Sequence, residues 1–135
     1  MRPWLGRRAY AILNDFMRII VADDNASCRR IVVRMLREIG HEVSSVEDGP
    51  GLRHGCASGE FDAAICDINL GLEDGIALCE ELKANYPALP ICLMTGSPAN
   101  IDCAVSAGFE LVLLKPFSMV QLREILQSWA LASLR

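Results

Sequence analysis

The stretch IIVADDN, residues 19–25, decides the fold of this chain. Four apolar residues run without interruption into Asp23 and Asp24. A short apolar run of this kind is typical of a strand buried on both faces, and such strands occur in parallel sheets covered by helices. Four further runs follow the same pattern, the first of them weakened by two serines, and they span residues 43–46, 63–66, 91–94 and 111–114.

Segments with a helical period separate these runs. The first segment places five apolar residues on one helix face: Cys28, Val32, Met35, Leu36 and Ile39. Ser27 is its predicted N-cap and Gly40 its predicted end. Ser97, followed by a proline, predicts the start of the fourth helix, and Ser118 with Gln121 forms a capping box that opens the fifth.

The second helical segment is weak. Between Gly49 and Glu60 it contains one further proline and three further glycines: Pro50, Gly51, Gly55 and Gly59. Both residue types disfavour a helix interior. We therefore expect only a short, mobile element there.

Five strands that alternate with helices predict an α/β fold. The pattern is a doubly wound, flavodoxin-like (βα)5 arrangement with a parallel five-stranded sheet of order 2-1-3-4-5. Strands 1 and 3 then lie side by side at the switch point. The chain shows no repeat and no low-complexity stretch, so one domain is predicted over residues 17–135.

Polar residues follow four of the predicted strands. Asp23 and Asp24 follow strand 1, Asp67 follows strand 3, Thr95 follows strand 4 and Lys115 follows strand 5. In a parallel sheet these positions gather at one edge. Three clustered carboxylates favour a hard divalent cation, and the hydroxyl and ammonium groups favour an anion beside it. The combination predicts a site that accepts a phosphoryl group.

Composition narrows the function classes. The chain has 135 residues, 52% hydrophobic and 22% charged, with a net charge of −4. These values fit a soluble globular domain, and the negative charge argues against direct binding of nucleic acid. No apolar run has the length of a membrane span. Six cysteines without a C-x-x-C pair predict reduced thiols, mostly in the core of a cytoplasmic protein, and poorly support a zinc site.

Residues 1–16 form an N-terminal extension that differs from the rest. It contains three arginines and one aspartate, and its apolar stretch is too short for a signal peptide. Two interpretations stay open. The segment is either a leader, tag remnant or mis-assigned start, or a native helix whose apolar residues dock on something: Trp4, Leu5, Tyr10, Ile12, Leu13 and Phe16.

Four fragments in order carry a resemblance to a known family. They are IIVADDNAS (19–27), AAICDINLGLEDGIAL (63–78), ICLMTGSP (91–98) and LLKPFS (113–118). With them the chain resembles the receiver domain of two-component response regulators, which has a chemotaxis-regulator-like fold. The resemblance runs from about Arg18 to Trp129.

The resemblance implies a role for each site residue. Asp67 takes the position of the phosphorylated aspartate, and Thr95 and Lys115 those of the residues that contact the phosphoryl group. Asp24 would bind Mg²⁺ (or Mn²⁺) directly and Asp23 through metal-bound water. Asp67 itself and the backbone carbonyl of Asn69 would complete the metal site. The Lys115-Pro116 bond is expected to be cis, as is typical of this family.

Two positions depart from the family pattern. Gly71 stands where the family usually has a proline, so we expect a looser loop after Asp67. Val112 stands where the family usually has an aromatic switch residue. The coupling of Thr95 to the fourth and fifth helices is then altered or carried by Phe109.

The resemblance implies a phospho-acceptor signalling domain rather than an enzyme. A histidine kinase or histidine phosphotransfer protein would phosphorylate Asp67, and the helix 4–strand 5–helix 5 face would then bind a downstream protein or a second copy. Because the chain ends soon after its fifth helix, we expect either a stand-alone receiver or one domain cut from a larger protein.

Other interpretations stay open at this point. The domain could dock on a partner without phosphorylation. An aspartate-nucleophile phosphatase usually has a second aspartate two residues after the nucleophile, where this chain has Asn69. In a flavodoxin, Asp23 and Asp24 would repel the flavin phosphate. Taken singly, Asp23 and Asp24 could cap a helix, Asp67 could be a turn residue and Lys115 a solvated charge.

Overall fold

A parallel five-stranded sheet lies at the centre of the molecule, in a computed structural model that describes residues 16–133. Its strands are β1 (Arg18–Ala22), β2 (Glu42–Val46), β3 (Ala63–Asp67), β4 (Ile91–Thr95) and β5 (Val112–Leu114). The helices are α1 (Ala26–Ile39), α2 (Gly49–Ala57), α3 (Gly75–Asn85), α4 (Pro98–Ser106) and α5 (Met119–Ser133). Two short strands after β3, Asn69–Leu70 and Glu73–Asp74, form a separate antiparallel hairpin.

The strand order is β2-β1-β3-β4-β5, and every pair in this sheet is parallel. This confirms the predicted α/β class and the order 2-1-3-4-5. Strands β1 and β3 are direct neighbours, with Ala22 opposite Cys66. The residues that follow them therefore meet at one edge of the sheet.

The sheet separates two hydrophobic cores. Ile19 and Val21 point into the core that α1 and α5 cover, together with Leu36, Leu122 and Trp129. The alternate residues of the same strand point into the other core, which α2, α3 and α4 cover. Because both faces of β1 are buried, the strand is apolar without interruption.

Helix α1 begins earlier than the sequence predicted. Its N-cap is Asn25, whose Oδ1 accepts a hydrogen bond from the Cys28 N–H over 2.9 Å. Ser27 therefore lies inside the first turn, and its prediction as N-cap was wrong. Gly40 ends the helix with φ 118°, as predicted. The capping box of α5 is also confirmed, because Ser118 N donates to Gln121 Oε1 and Gln121 N donates to Ser118 Oγ.

The weak second segment forms a regular nine-residue helix. Asp48 caps it by accepting the Gly51 N–H over 2.8 Å, and Pro50 lies in the first turn, where a missing N–H has no cost. A Cβ at Gly55 would collide with Ile20 of β1, so this glycine permits close packing of α2 on the sheet. Gly55, one of the glycines that disfavour a helix by propensity, thus allows the helix to pack closely on the sheet.

Four of the six free cysteines are buried, Cys28 is partly buried and Cys103 is exposed, which confirms a mostly core role for the thiols. Within residues 16–133, no helix combines the length and apolar character that crossing a membrane requires. The N-terminal segment predicted as a helix or leader lies outside the described residues except for Phe16, which is not helical.

Candidate functional site

The predicted site residues meet at the carboxyl edge of the sheet. Asp67 is the last residue of β3 and lies opposite Met94 of β4. Thr95 ends β4, and its carbonyl accepts the backbone N–H of Lys115 over 2.7 Å. Asp23 follows β1, and its N–H donates to Val46 of β2. The parallel order of the strands therefore brings together groups that are as many as 92 residues apart in the chain.

Lys115 links the two buried carboxylates of the site. Its Nζ lies 2.8 Å from Asp23 Oδ2 and also contacts Asp67 Oδ2. The Asp23 side chain is completely buried, and Lys115 supplies the positive charge beside it. One ammonium group thus balances two carboxylates in this state of the site.

Asp67 is partnered on both carboxylate oxygens. Oδ2 contacts Lys115, and Oδ1 accepts the backbone N–H of Asn69 over 2.8 Å. Burial raises the pKa of Asp67, and this effect exceeds the lowering by Lys115 and the Asn69 N–H. Burial lowers the pKa of Lys115, but its hydrogen bonds with Asp23 and Asp67 outweigh burial, so that pKa is raised overall. Burial therefore dominates the shift of Asp67, whereas the two neighbouring carboxylates dominate the shift of Lys115.

Asp24 lies at the solvent side of the site. Its Oδ2 accepts the backbone N–H of Gly71 over 3.0 Å. Gly71 is in the turn of the hairpin, with φ 64°, a conformation that proline cannot adopt. The loop after Asp67 therefore forms a hairpin that is hydrogen-bonded to Asp24, and the expectation of a looser loop stays a prediction.

The donor set fits a hard divalent cation. The family resemblance assigns to it the carboxylates of Asp23, Asp24 and Asp67 and the backbone carbonyl of Asn69, and Mg²⁺ prefers such oxygen ligands. Among the described residues, no three His, Cys, Asp or Glu side chains already converge as a metal cage. Asp24 Oδ2 is engaged with Gly71, and Lys115 lies between the other two carboxylates.

Thr95, the residue after the strand partner of Asp67, is fully buried. Its Oγ1 accepts two hydrogen bonds, from the Ser97 N–H over 3.1 Å and from the Asn100 side-chain amide over 3.0 Å. Sequence reasoning missed Asn100. An asparagine in the first turn of a helix gives no signal by itself, and only the fold places it against Thr95.

Phe109 does not occupy the position of a switch residue. Its ring is buried in the second core, and the Lys83 ammonium lies 5.2 Å from the ring centroid. Lys83 also donates to the Gly108 carbonyl, which holds this loop on α3. Val112, at the first position of β5, is partly buried. The structure thus places Phe109 in the second core, and its part in the coupling stays a hypothesis.

Comparison with known proteins identifies the family. The model of the response regulator receiver domain matches residues 19–127. The chain belongs to the response regulator receiver family. The Lys115-Pro116 peptide bond of this receiver domain is cis, as expected. Asp67, Thr95, Lys115, Asp23 and Asp24 all lie within the matched segment.

Two curated relatives illustrate the similarity. The receiver domain is 35% identical over 120 residues to the transcriptional regulatory protein ZraR of Salmonella typhimurium, covering 87% of this chain and 27% of that protein. It is 32% identical over 119 residues to the chemotaxis protein CheY-3 of Vibrio cholerae, covering 84% of this chain and 92% of that protein. The chain thus spans about a quarter of the length of ZraR and nearly all of CheY-3.

Solved structures agree with this assignment. Vibrio cholerae CheY4 superposes with a TM-score of 0.74 at 26% identity, covering 84% of this receiver domain and 98% of that chain. The receiver domain of the Pseudomonas aeruginosa sensor histidine kinase PA1611 superposes with a TM-score of 0.75 at 28% identity. The match covers 84% of this chain and 97% of that chain. The PA1611 structure has a magnesium ion coordinated in its active-site cleft.

Proposed function

We propose that this receiver domain accepts a phosphoryl group on Asp67 from a phosphohistidine of a histidine kinase or a histidine phosphotransfer protein. The observation that carries the proposal is the placement of Asp67. Its carboxylate lies at the shared edge of β1, β3 and β5, beside the Lys115 ammonium and in front of the Thr95 strand end. A carboxylate so placed can attack phosphorus without a general base, because its ionised form already carries the attacking lone pair.

The phosphoryl transfer forms one bond to phosphorus and breaks another. A carboxylate oxygen of Asp67 forms a bond to phosphorus, the P–N bond of phosphohistidine breaks, and the neutral imidazole leaves with a proton from solvent. Lys115 then pairs with a phosphoryl oxygen, and the Thr95 hydroxyl donates to another. Because the transition state is loose, positioning and charge neutralisation supply most of the acceleration.

A divalent cation, Mg²⁺ or Mn²⁺, would be held by Asp23, Asp24, Asp67 and the Asn69 carbonyl. When bound, it supplies positive charge against the phosphoryl oxygens. The residues of the chain itself reduce the repulsion among the three carboxylates. Lys115 compensates Asp23 and Asp67 before the anion arrives, and Gly71 positions Asp24 at the entrance.

The protein acts as a signalling switch and turns over no external substrate in this proposal. Phosphorylation shifts the face of α4, β5 and α5 between two populations, and a downstream protein or a second copy of the chain reads that face. Val105, Leu114 and Val120 are exposed on its three elements at 58%, 38% and 63%. The free thiols fit a cytoplasmic location, and the net negative charge disfavours nucleic acid as a direct ligand.

One observation favours a second function. Val112 replaces the usual aromatic switch residue, which would suit a receiver-like domain that docks on its partner without phosphorylation. The intact set of Asp23, Asp24, Asp67, Thr95 and Lys115 favours the phosphorylated switch instead.

Labelling with a small phospho-donor separates the two functions. The protein is incubated with acetyl phosphate and either magnesium chloride or a chelator, and the product is treated with hydroxylamine, which cleaves acyl phosphates. Phosphorylation that needs the metal and disappears with hydroxylamine supports the switch. A protein that gains no phosphoryl group in any condition, or whose label survives hydroxylamine, contradicts the switch and favours the docking domain.

A further inference from the structure

A partly buried hydrogen bond connects the site to helix α4. The Asn100 side-chain amide donates to Thr95 Oγ1 over 3.0 Å, and the Ser97 N–H donates to the same oxygen over 3.1 Å. Both donors belong to the start of α4, since Ser97 is its N-cap and Asn100 lies in its first turn. The two acceptor positions of the hydroxyl are therefore both occupied by α4.

The hydrogen of this hydroxyl is only weakly engaged. The acceptor recorded for it is the Ser97 carbonyl at 3.5 Å, the upper limit of a hydrogen bond. A hydroxyl can donate its hydrogen while it accepts two others. Thr95 can therefore donate to a phosphoryl oxygen on Asp67 and keep its bonds to Ser97 and Asn100.

Helix α4 has few other attachments at this end. Its N-cap residue Ser97 makes no side-chain capping hydrogen bond, and Ala104 is the one residue among Pro98–Ser106 that is buried. With few buried apolar contacts, a helix can shift at low cost. The Thr95 hydroxyl attaches this end of the helix through the N–H of the N-cap residue Ser97 and the side-chain amide of Asn100.

We propose that Asn100 is the positioning residue that couples Thr95 to α4 in this chain, in place of the missing aromatic switch. The inference rests on the proposed phosphorylation of Asp67. When Thr95 moves toward the new anion, the amide of Asn100 follows its oxygen and the first turn of α4 moves with it. The signal thus leaves the site through a polar contact rather than through Val112 or Phe109.

The contact itself is tested without phosphorylation. In the nitrogen-15-labelled protein, the side-chain amide resonances of Asn100 are recorded for the wild type and for Thr95→Val, which keeps the shape but removes the acceptor. We expect a clear shift of these resonances in Thr95→Val and none in Asp102→Ala, an exposed control on the same helix. Unchanged Asn100 resonances in Thr95→Val would overturn the coupling.

The coupling is tested on samples whose phosphorylation has been confirmed by intact mass. Backbone amide shifts of α4 on phosphorylation are compared among the wild type, Asp102→Ala, Asn100→Ala and Asn100→Asp. The last variant keeps the size of the side chain but removes its donor N–H. We expect the α4 response to fall about fivefold in both Asn100 variants, the factor expected for loss of one neutral hydrogen bond, and to stay at the wild-type level in Asp102→Ala.

The outcomes distinguish the two proposals. A wild type that gains no phosphoryl group contradicts the proposed function and, with it, the coupling. Full phosphorylation with an undiminished α4 response in both Asn100 variants overturns the coupling alone. The double variant Thr95→Ala/Asn100→Ala should lose no more response than the single variants, because the two residues act through one contact.

Discussion

The ammonium of Lys115 lies 2.8 Å from Oδ2 of Asp23, a carboxylate without any exposure to solvent. The same ammonium contacts Asp67. This relationship explains how three acidic residues can share one sheet edge before a cation binds. It also predicts how the edge responds when the ammonium is removed.

Lys115→Ala should destabilise the metal-free protein by about 3 kcal/mol, because it leaves a buried carboxylate without a counter-charge. Added magnesium chloride should then stabilise the variant more than the wild type, since the cation restores the lost positive charge. Urea unfolding with and without Mg²⁺ measures both effects.

The matched control for this variant is Lys83→Ala. Lys83 is exposed, and its contacts are with Phe109 and the Gly108 carbonyl, remote from the carboxylates. We expect Mg²⁺ to stabilise it as much as the wild type. An equal Mg²⁺ effect in Lys115→Ala and Lys83→Ala would contradict the role given to Lys115.

Gly71→Ala should cost about 1 kcal/mol of stability, because an L-residue at φ 64° is strained. Gly71→Asn should cost less, since asparagine tolerates this conformation and keeps the N–H that Asp24 accepts. Gly96→Ala is the control, as a Cβ there meets nothing within 4 Å. The urea midpoint should be highest for the wild type and Gly96→Ala, lower for Gly71→Asn and lowest for Gly71→Ala. A Gly71→Ala midpoint equal to that of the wild type would refute the strain.

An ion-pair network joins α2, the hairpin and α3. Arg53 donates from Nε to Glu81 Oε2 over 2.7 Å and from Nη1 to Glu73 Oε1 over 2.9 Å. The hydrogen bond with Arg53 lowers the pKa of Glu81. A lowered pKa in the folded state gives stability that is present above the ordinary glutamate pKa and is lost as the pH falls through the lowered value.

Glu81→Gln should therefore be less stable than the wild type at neutral pH, and the difference should close as the pH falls below about 4, the ordinary range of glutamate. Urea unfolding across this pH range measures the difference. Glu80→Gln, an exposed neighbour on the same helix, serves as the control and should show no such convergence. A stability difference between Glu81→Gln and the wild type that stays constant at low pH would exclude the ion pair of Arg53 with Glu81 as its cause.

The cysteines should fall into two reactivity classes. Burial raises the pKa of Cys92 to about 12 and that of Cys56 to about 11, so neither forms a thiolate at neutral pH. Iodoacetamide should label exposed Cys103 first and partly buried Cys28 second, and the other four only after unfolding. Peptide mapping with Cys103→Ser as the control checks the order, and rapid native labelling of Cys92 would contradict the buried core.

The sequence was sufficient for the sheet because every central strand is buried on both faces. Ile19 and Val21 enter one core and the alternate residues the other, so the apolar run itself marked the strand. The order of the strands then placed Asp23 and Asp67 together. The capping box at Ser118 was readable because both of its partners are local.

Long-range contacts explain what sequence reasoning missed. Helix α2 was underrated because Gly55 packs on Ile20 of β1, a contact that propensity does not report. The attachment of the hairpin was missed because Gly71 donates to Asp24, 47 residues earlier in the chain. Asn100 was missed for a different reason, because its partner Thr95 is only five residues earlier but lies on a different element.

Intact mass after incubation with acetyl phosphate and Mg²⁺ tests the central claim most directly, on the wild type, Asp67→Asn and Asp62→Asn. Asp62 is a matched control, a buried carboxylate at the other end of β3 that accepts the Arg18 N–H over 2.8 Å. We predict that the wild type and Asp62→Asn each gain one phosphoryl group and that Asp67→Asn gains none. Equal labelling of Asp67→Asn and the wild type would contradict the account.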